Sequence, residues 1–72
     1  MKVLESKIKD VQSGEGVNVV HPVNLYGCII GDGVFIGPFT EVQKNVTIGH
    51  NTKVQSHSFI CKFVSIGEDC FI

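Results

Sequence analysis

The stretch IIGDGVFIGPFTEVQKNVTIGHNTKVQSHSFI, residues 29–60, returns an aliphatic side chain at every sixth position. Ile30, Ile36, Val42, Ile48, Val54 and Ile60 form the row, and Ile66 and Ile72 continue it. An amphipathic helix repeats near 3.6 residues and a half-buried strand repeats every 2. Six is a multiple of two, so an extended chain that also turns at a fixed interval returns these side chains to one face. Four residues after each aliphatic come Val34, Thr40, Val46, Thr52, Ser58, Val64 and Cys70, all small or β-branched and all on the same inner face by alternation. The residues between them, Phe35, Glu41, Thr47, Lys53, Phe59, Ser65 and Phe71, then point outward. Gly31, Gly37, Gly49 and Gly67 each follow an aliphatic. They are expected to be corner residues with positive φ, which glycine adopts at least cost.

Each hexapeptide therefore reads as a short strand and a corner. Three of them close a triangular coil of eighteen residues, and Gly31, Gly49 and Gly67 stand at that spacing. Stacked coils form parallel strands ~4.8 Å apart. The expected fold is all-β, a left-handed parallel β-helix over residues 17–72 with about three rungs, roughly 15 Å of prism. Residues 1–16 read as an irregular lead-in, with SGEG (13–16) as a turn. Counting back by sixes from Ile30 puts Asn24 and Asn18 at inward positions, where they would blunt the first rung. Ile72 falls at an inward position, so the C-terminal end is expected to be uncapped and the chain to be the N-terminal portion of a longer protein.

Composition narrows the function classes. Seventy-two residues make one small domain near the limit of independent stability. A formal charge of −1 with scattered lysines gives no basic stripe for nucleic acid. No apolar run approaches the ~20 residues that span a bilayer, and the start MKVLESKIKDVQS lacks a secretory apolar region. Three cysteines without a C-x-x-C pair fit a reducing, cytoplasmic setting.

VFIGPFTEV, VTIGHNTKV and VSIGEDCFI resemble the hexapeptide-repeat acyltransferases, whose fold is this β-helix. DVQS followed by IIGDGVFIG and TKVQSHSFI is similar to the nucleotide-sugar N-acetyltransferases of surface-polysaccharide pathways. The resemblance implies a homotrimer with active sites between prisms and acetyl-CoA as co-substrate, bound largely along later rungs. It implies acetyl transfer to the amine of a nucleotide-linked amino-sugar, with Gln55 and Ser56 as substrate contacts and His57 as the catalytic residue. An imidazole there can take the proton released when the sugar amine attacks the thioester. Two other readings stand beside it: a noncatalytic trimerising or scaffold β-helix, and a hexapeptide acyltransferase with a different acceptor such as serine or an antibiotic hydroxyl.

Further residues are placed by the eighteen-residue stacking. It aligns His21, Phe39 and His57, and sets His50 between Asp32 and Glu68, where two carboxylates at rung spacing favour the imidazolium form. Cys28 and Cys70 fall at small inward positions and Cys61 at a corner, a structural pattern with no pairing expected. Carbonic anhydrases of the same β-helix bind zinc through three histidines, but His21, His50 and His57 lack the H-x₄-H pair that resemblance requires, so no metal is expected. Phe35 and Phe71 share an outward column with Lys53, and with Phe39, Phe59 and Phe63 they suggest a surface that needs covering.

Overall fold

The computed structural model describes residues 7–72 as eleven short strands, numbered here in chain order, wound into a three-sided parallel β-helix. Face A stacks β1 (Lys7–Lys9), β4 (Val23–Tyr26), β7 (Thr40–Val42) and β10 (Phe59–Ile60). Face B stacks β2 (Gln12–Ser13), β5 (Ile29–Ile30), β8 (Thr47–Ile48) and β11 (Ser65–Ile66). Face C holds β3 (Asn18–Val19), β6 (Phe35–Ile36) and β9 (Lys53–Val54), and a parallel bridge from Lys53 to Phe71 carries it one rung further. All the pairings between these strands are parallel, so the left-handed β-helix expected from the hexapeptide row is the fold.

Its extent differs from the expectation. Faces A and B are four strands deep, so the stack has nearly four rungs rather than three. The extra rung comes from residues 7–16, where β1 and β2 pair with β4 and β5 in a segment expected to be irregular. Residues 1–6 of that lead-in lie outside the described residues.

The inward rows form the core. Leu25, Ile30, Ile36, Val42, Ile48, Val54 and Ile60 are buried, as are Val23, Cys28, Val34 and Val46 two residues before them. Thr40 and Thr52 are the buried polar members of the rows. The Thr52 hydroxyl donates to the Gly67 carbonyl at 2.7 Å and accepts from the Cys70 N–H at 3.2 Å, while the Thr40 hydroxyl donates to the Gln55 carbonyl at 3.2 Å. These bonds let a polar atom sit in an apolar prism without a desolvation penalty.

The inward row does not continue by sixes below Ile30. Leu25 pairs with Val42, seventeen residues on, whereas Ile29 pairs with Thr47, eighteen on. The corner between face A and face B is thus one residue shorter in the lower two rungs than in the upper two. The shift puts Val23 and Leu25 inside, leaves Asn24 half-buried and outward, and leaves Asn18 exposed between the half-buried Val17 and Val19. The two asparagines do not blunt the first rung.

The corners also work differently from the expectation. Positive φ occurs three residues after each aliphatic, at Phe39 (60°), Asn45 (63°), Asn51 (59°), His57 (61°), Phe63 (64°) and Asp69 (56°), with Gly33 (69°) as the glycine of this set. Gly31, Gly37 and Gly49, directly after aliphatics, serve close approach instead. A Cβ on Gly49 would lie 2.7 Å from the Gly67 carbonyl carbon, and one on Gly37 would lie 2.8 Å from the Ser56 nitrogen. Successive rungs touch backbone to backbone there, and only glycine leaves the room.

Candidate functional site

The corner between faces C and A carries a column that starts from proline. The Phe39 N–H donates to the Pro22 carbonyl at 2.6 Å, and the His57 N–H donates to the Pro38 carbonyl at 3.0 Å. Because the first coils are short, Pro22 and not His21 lies beneath Phe39. Phe39 and His57 both take left-handed backbone, which throws their side chains out from the corner and lays the rings together. The centroids are 5.0 Å apart with 19° between planes.

This ring pair forms one wall of an open groove of about 420 Å³. Its floor is the outward side of face A, where Asn24, Glu41 and Phe59 stack in register. The Glu41 carboxylate accepts from the Gln43 side-chain amide at 3.1 Å, which restricts its rotamers. The groove therefore gathers an imidazole, a carboxylate and a primary amide beside two phenyl rings. Polar groups that converge on an apolar concavity are what a small polar ligand with a ring needs.

His57 stands in the groove, but Gln55 and Ser56 do not line it. Both are exposed, and the Gln55 backbone is engaged in the solenoid: its N–H donates to the Ile72 carbonyl at 2.8 Å, and its carbonyl accepts the Ser58 hydroxyl at 2.9 Å. Asn24, Glu41 and Phe59 line the groove instead. Glu41 and Phe59 stand eighteen apart at outward positions, a spacing that places them in one column.

The other candidates fall elsewhere. His50 accepts at Nδ1 from the Asp32 N–H at 2.8 Å, and Asp32 Oδ1 accepts from the Glu15 N–H at the same distance. His50 is thus tied to the rung below as a corner cap. Cys28 is buried, Cys70 half-buried and Cys61 exposed, and all three are free. Burial pushes the Cys28 thiol above its ordinary range, opposed in part by a backbone hydrogen bond. Among the described residues no group of three histidine, cysteine or carboxylate side chains is placed to hold a metal. No helix there is long and apolar enough to cross a membrane. Phe59, Phe63 and Phe71 project into solvent, Phe71 above Lys53 and Phe35 in one outward column.

A three-sided parallel β-helix of hexapeptides with an open groove on one corner defines the class. Residues 27–62, half of the chain, match the family described as bacterial transferase hexapeptide (six repeats), and the chain belongs to that family. It is 44% identical over 43 residues to the acyl-[acyl-carrier-protein]--UDP-N-acetylglucosamine O-acyltransferase of Psychrobacter sp. (strain PRwf-1), covering 60% of this chain and 17% of that protein. It is 39% identical over 59 residues to the bifunctional protein GlmU of Pediococcus pentosaceus, covering 82% of this chain and 12% of that one. It is 34% identical over 50 residues to the O-acyltransferase of the same name from Brucella anthropi, covering 67% and 18%. The chain thus spans less than a fifth of the length of these curated relatives. No solved structure matches it.

Proposed function

We propose that these rungs belong to an acyltransferase that moves an acetyl group from acetyl-CoA to the amine of a nucleotide-linked amino-sugar, acting as a homotrimer in the cytoplasm. The observation that carries the reading is the corner groove with His57 in it, on a chain of the hexapeptide transferase family. The Phe39 and Phe59 rings offer apolar faces to a sugar ring, and Glu41 and Asn24 offer hydrogen bonds to its polar substituents. Amide formation breaks the thioester C–S bond, joins the amine nitrogen to the acyl carbon and releases CoA thiol. The proton leaving the amine passes to His57 Nε2 or Nδ1, whichever faces the substrate, and from there to the departing CoA thiolate. Most of the rate enhancement is then positioning.

The names of two relatives favour a second reading, O-acyl transfer from an acyl carrier protein to UDP-N-acetylglucosamine. Native mass spectrometry separates the two. The first reading expects a trimer that gains the mass of acetyl-CoA and of a UDP-linked amino-sugar. A species that takes up UDP-N-acetylglucosamine and an acyl carrier protein but ignores acetyl-CoA supports the second. A monomer that binds none of them would leave a scaffold role for these rungs.

A further inference from the structure

The one-residue difference in corner length builds a second feature. On the corner from face A to face B, the lower rungs run Leu25 to Ile29 and the upper rungs run Val42 to Thr47 and Ile60 to Ser65. The upper rungs therefore project further, and the extra length carries Lys44 and Lys62. Gly27 lies beneath the overhang: a Cβ added to it would come within 3.2 Å of the Lys44 Cβ. The step leaves a notch of about 370 Å³ lined by Tyr26, Gln43, Lys44 and Lys62.

We propose that this notch binds a diphosphate group. Its two ammonium groups come from successive rungs, whose backbones lie ~4.8 Å apart, a spacing that brackets two linked phosphoryl groups. Neither lysine is ion-paired among the described residues. Both are exposed, while Tyr26 and Gln43 are half-buried and form the floor. The Tyr26 hydroxyl and the second N–H of the Gln43 amide supply neutral donors, the first N–H being held by Glu41.

Charge is sorted by corner. Glu15, Asp32, Glu68 and Asp69 lie on the corner from face B to face C, whereas Lys9 pairs with Tyr26 at the foot of the notch. Asp10, beneath Gly27, and Glu41, across Gln43, are the carboxylates nearest this edge by position in the fold. The notch and the His57 groove sit at opposite ends of β7, three residues or ~10 Å of strand apart. A sugar held in the groove through a diphosphate in the notch would cross face A. That last step alone rests on the acceptor reading above; the diphosphate site does not need it.

The test is an amide-shift titration of the isotopically labelled chain, first with inorganic pyrophosphate, then with UDP and UDP-N-acetylglucosamine. Lys44→Gln/Lys62→Gln is compared with Lys7→Gln/Lys53→Gln, an equal change of charge away from the notch. Pyrophosphate should shift Tyr26, Gln43, Lys44 and Lys62, and affinity should fall at least about tenfold in the notch variant only, the scale of losing charge-assisted hydrogen bonds. Tighter binding of UDP than of pyrophosphate identifies a nucleotide as the source, and equal binding identifies the free anion. Equal losses in both variants, or shifts spread over Lys7 and Lys53, reduce the effect to general charge and overturn the site. Pyrophosphate binding with no response of Asn24 or Glu41 to the sugar nucleotide keeps the site and sinks the acceptor reading.

Discussion

The imidazole of His57 lies against the phenyl ring of Phe39, centroids 5.0 Å apart, and both residues hold left-handed backbone near φ 60°. The stack and the strain come from the same corner geometry. A left-handed L-residue costs about 1–2 kcal/mol, and a stacked ring pair returns about 0.5–1.5 kcal/mol beyond burial. The candidate proton acceptor is thus fixed at the groove by two nearly offsetting terms.

Substitution separates them. His57→Ala loses the stack and keeps the strained Cβ; His57→Gly loses the stack and relieves the strain. Thermal denaturation should rank wild type and His57→Gly close together and His57→Ala lowest, by about 1 kcal/mol. Equal melting of the two variants would show that the corner stores no strain at this position.

Glycine placement makes a second contrast. Gly49→Ala would set a Cβ 2.7 Å from the Gly67 carbonyl carbon and 2.8 Å from the Glu68 nitrogen, backbone atoms that cannot move independently of the rung. Gly67→Ala meets only the Cys70 sulfur, at 3.7 Å. Overpacking at Gly49 should cost about 1–3 kcal/mol and Gly67→Ala close to nothing, as read by denaturant unfolding. A comparable loss at both would mean that glycine is needed there for something other than rung contact.

The same contrast shows what sequence could and could not reveal. The row from Ile30 to Ile72 was legible because every corner above Ile30 has the same length, so the period stays six. Below it the Tyr26–Gly27 corner drops a residue, and the count slid onto Asn24 and Asn18. The flanking patterns VNL (23–25) and VNV (17–19) held the answer, since each asparagine stands between two apolar residues and strand alternation turns it outward. Of the left-handed corner positions, only Phe39 and Phe63 are residue types that give no sign of positive φ; Gly33, Asn45, Asn51, His57 and Asp69 are types enriched there. At the groove, the floor could be read only from the rung register that places Asn24, Glu41 and Phe59 in one column.

Thiol chemistry should follow burial. Cys61 is exposed and should react with a disulfide reagent at the rate of a free thiol, whereas Cys28 should react only when the prism opens. Burial raises the folded Cys28 thiol above its ordinary value of 9.0. Its contribution to stability is therefore present in full below the unfolded value and lost as pH rises through the folded one. Unfolding titrations from pH 8 upward should show an alkaline loss that Cys28→Ala removes and Cys61→Ala leaves. An identical alkaline limb in both variants would assign it to another group.

Thr52 offers the sharpest test of how the core tolerates a hydroxyl. It is fully buried in the column of Val34 and Cys70, donates to the Gly67 carbonyl and accepts from the Cys70 N–H. Val34 occupies the equivalent place one rung below, so Thr52→Val fits by shape and removes only the two hydrogen bonds. It leaves a backbone donor and a backbone acceptor of the top rung without that partner, which costs about 1–3 kcal/mol for each group cut off from water. Amide exchange should then speed up at Cys70 and its neighbours while Val34 and Ile36 stay protected. Global destabilisation with uniform exchange would mean instead that the rungs melt as one unit, and unchanged stability would mean that water reaches both groups.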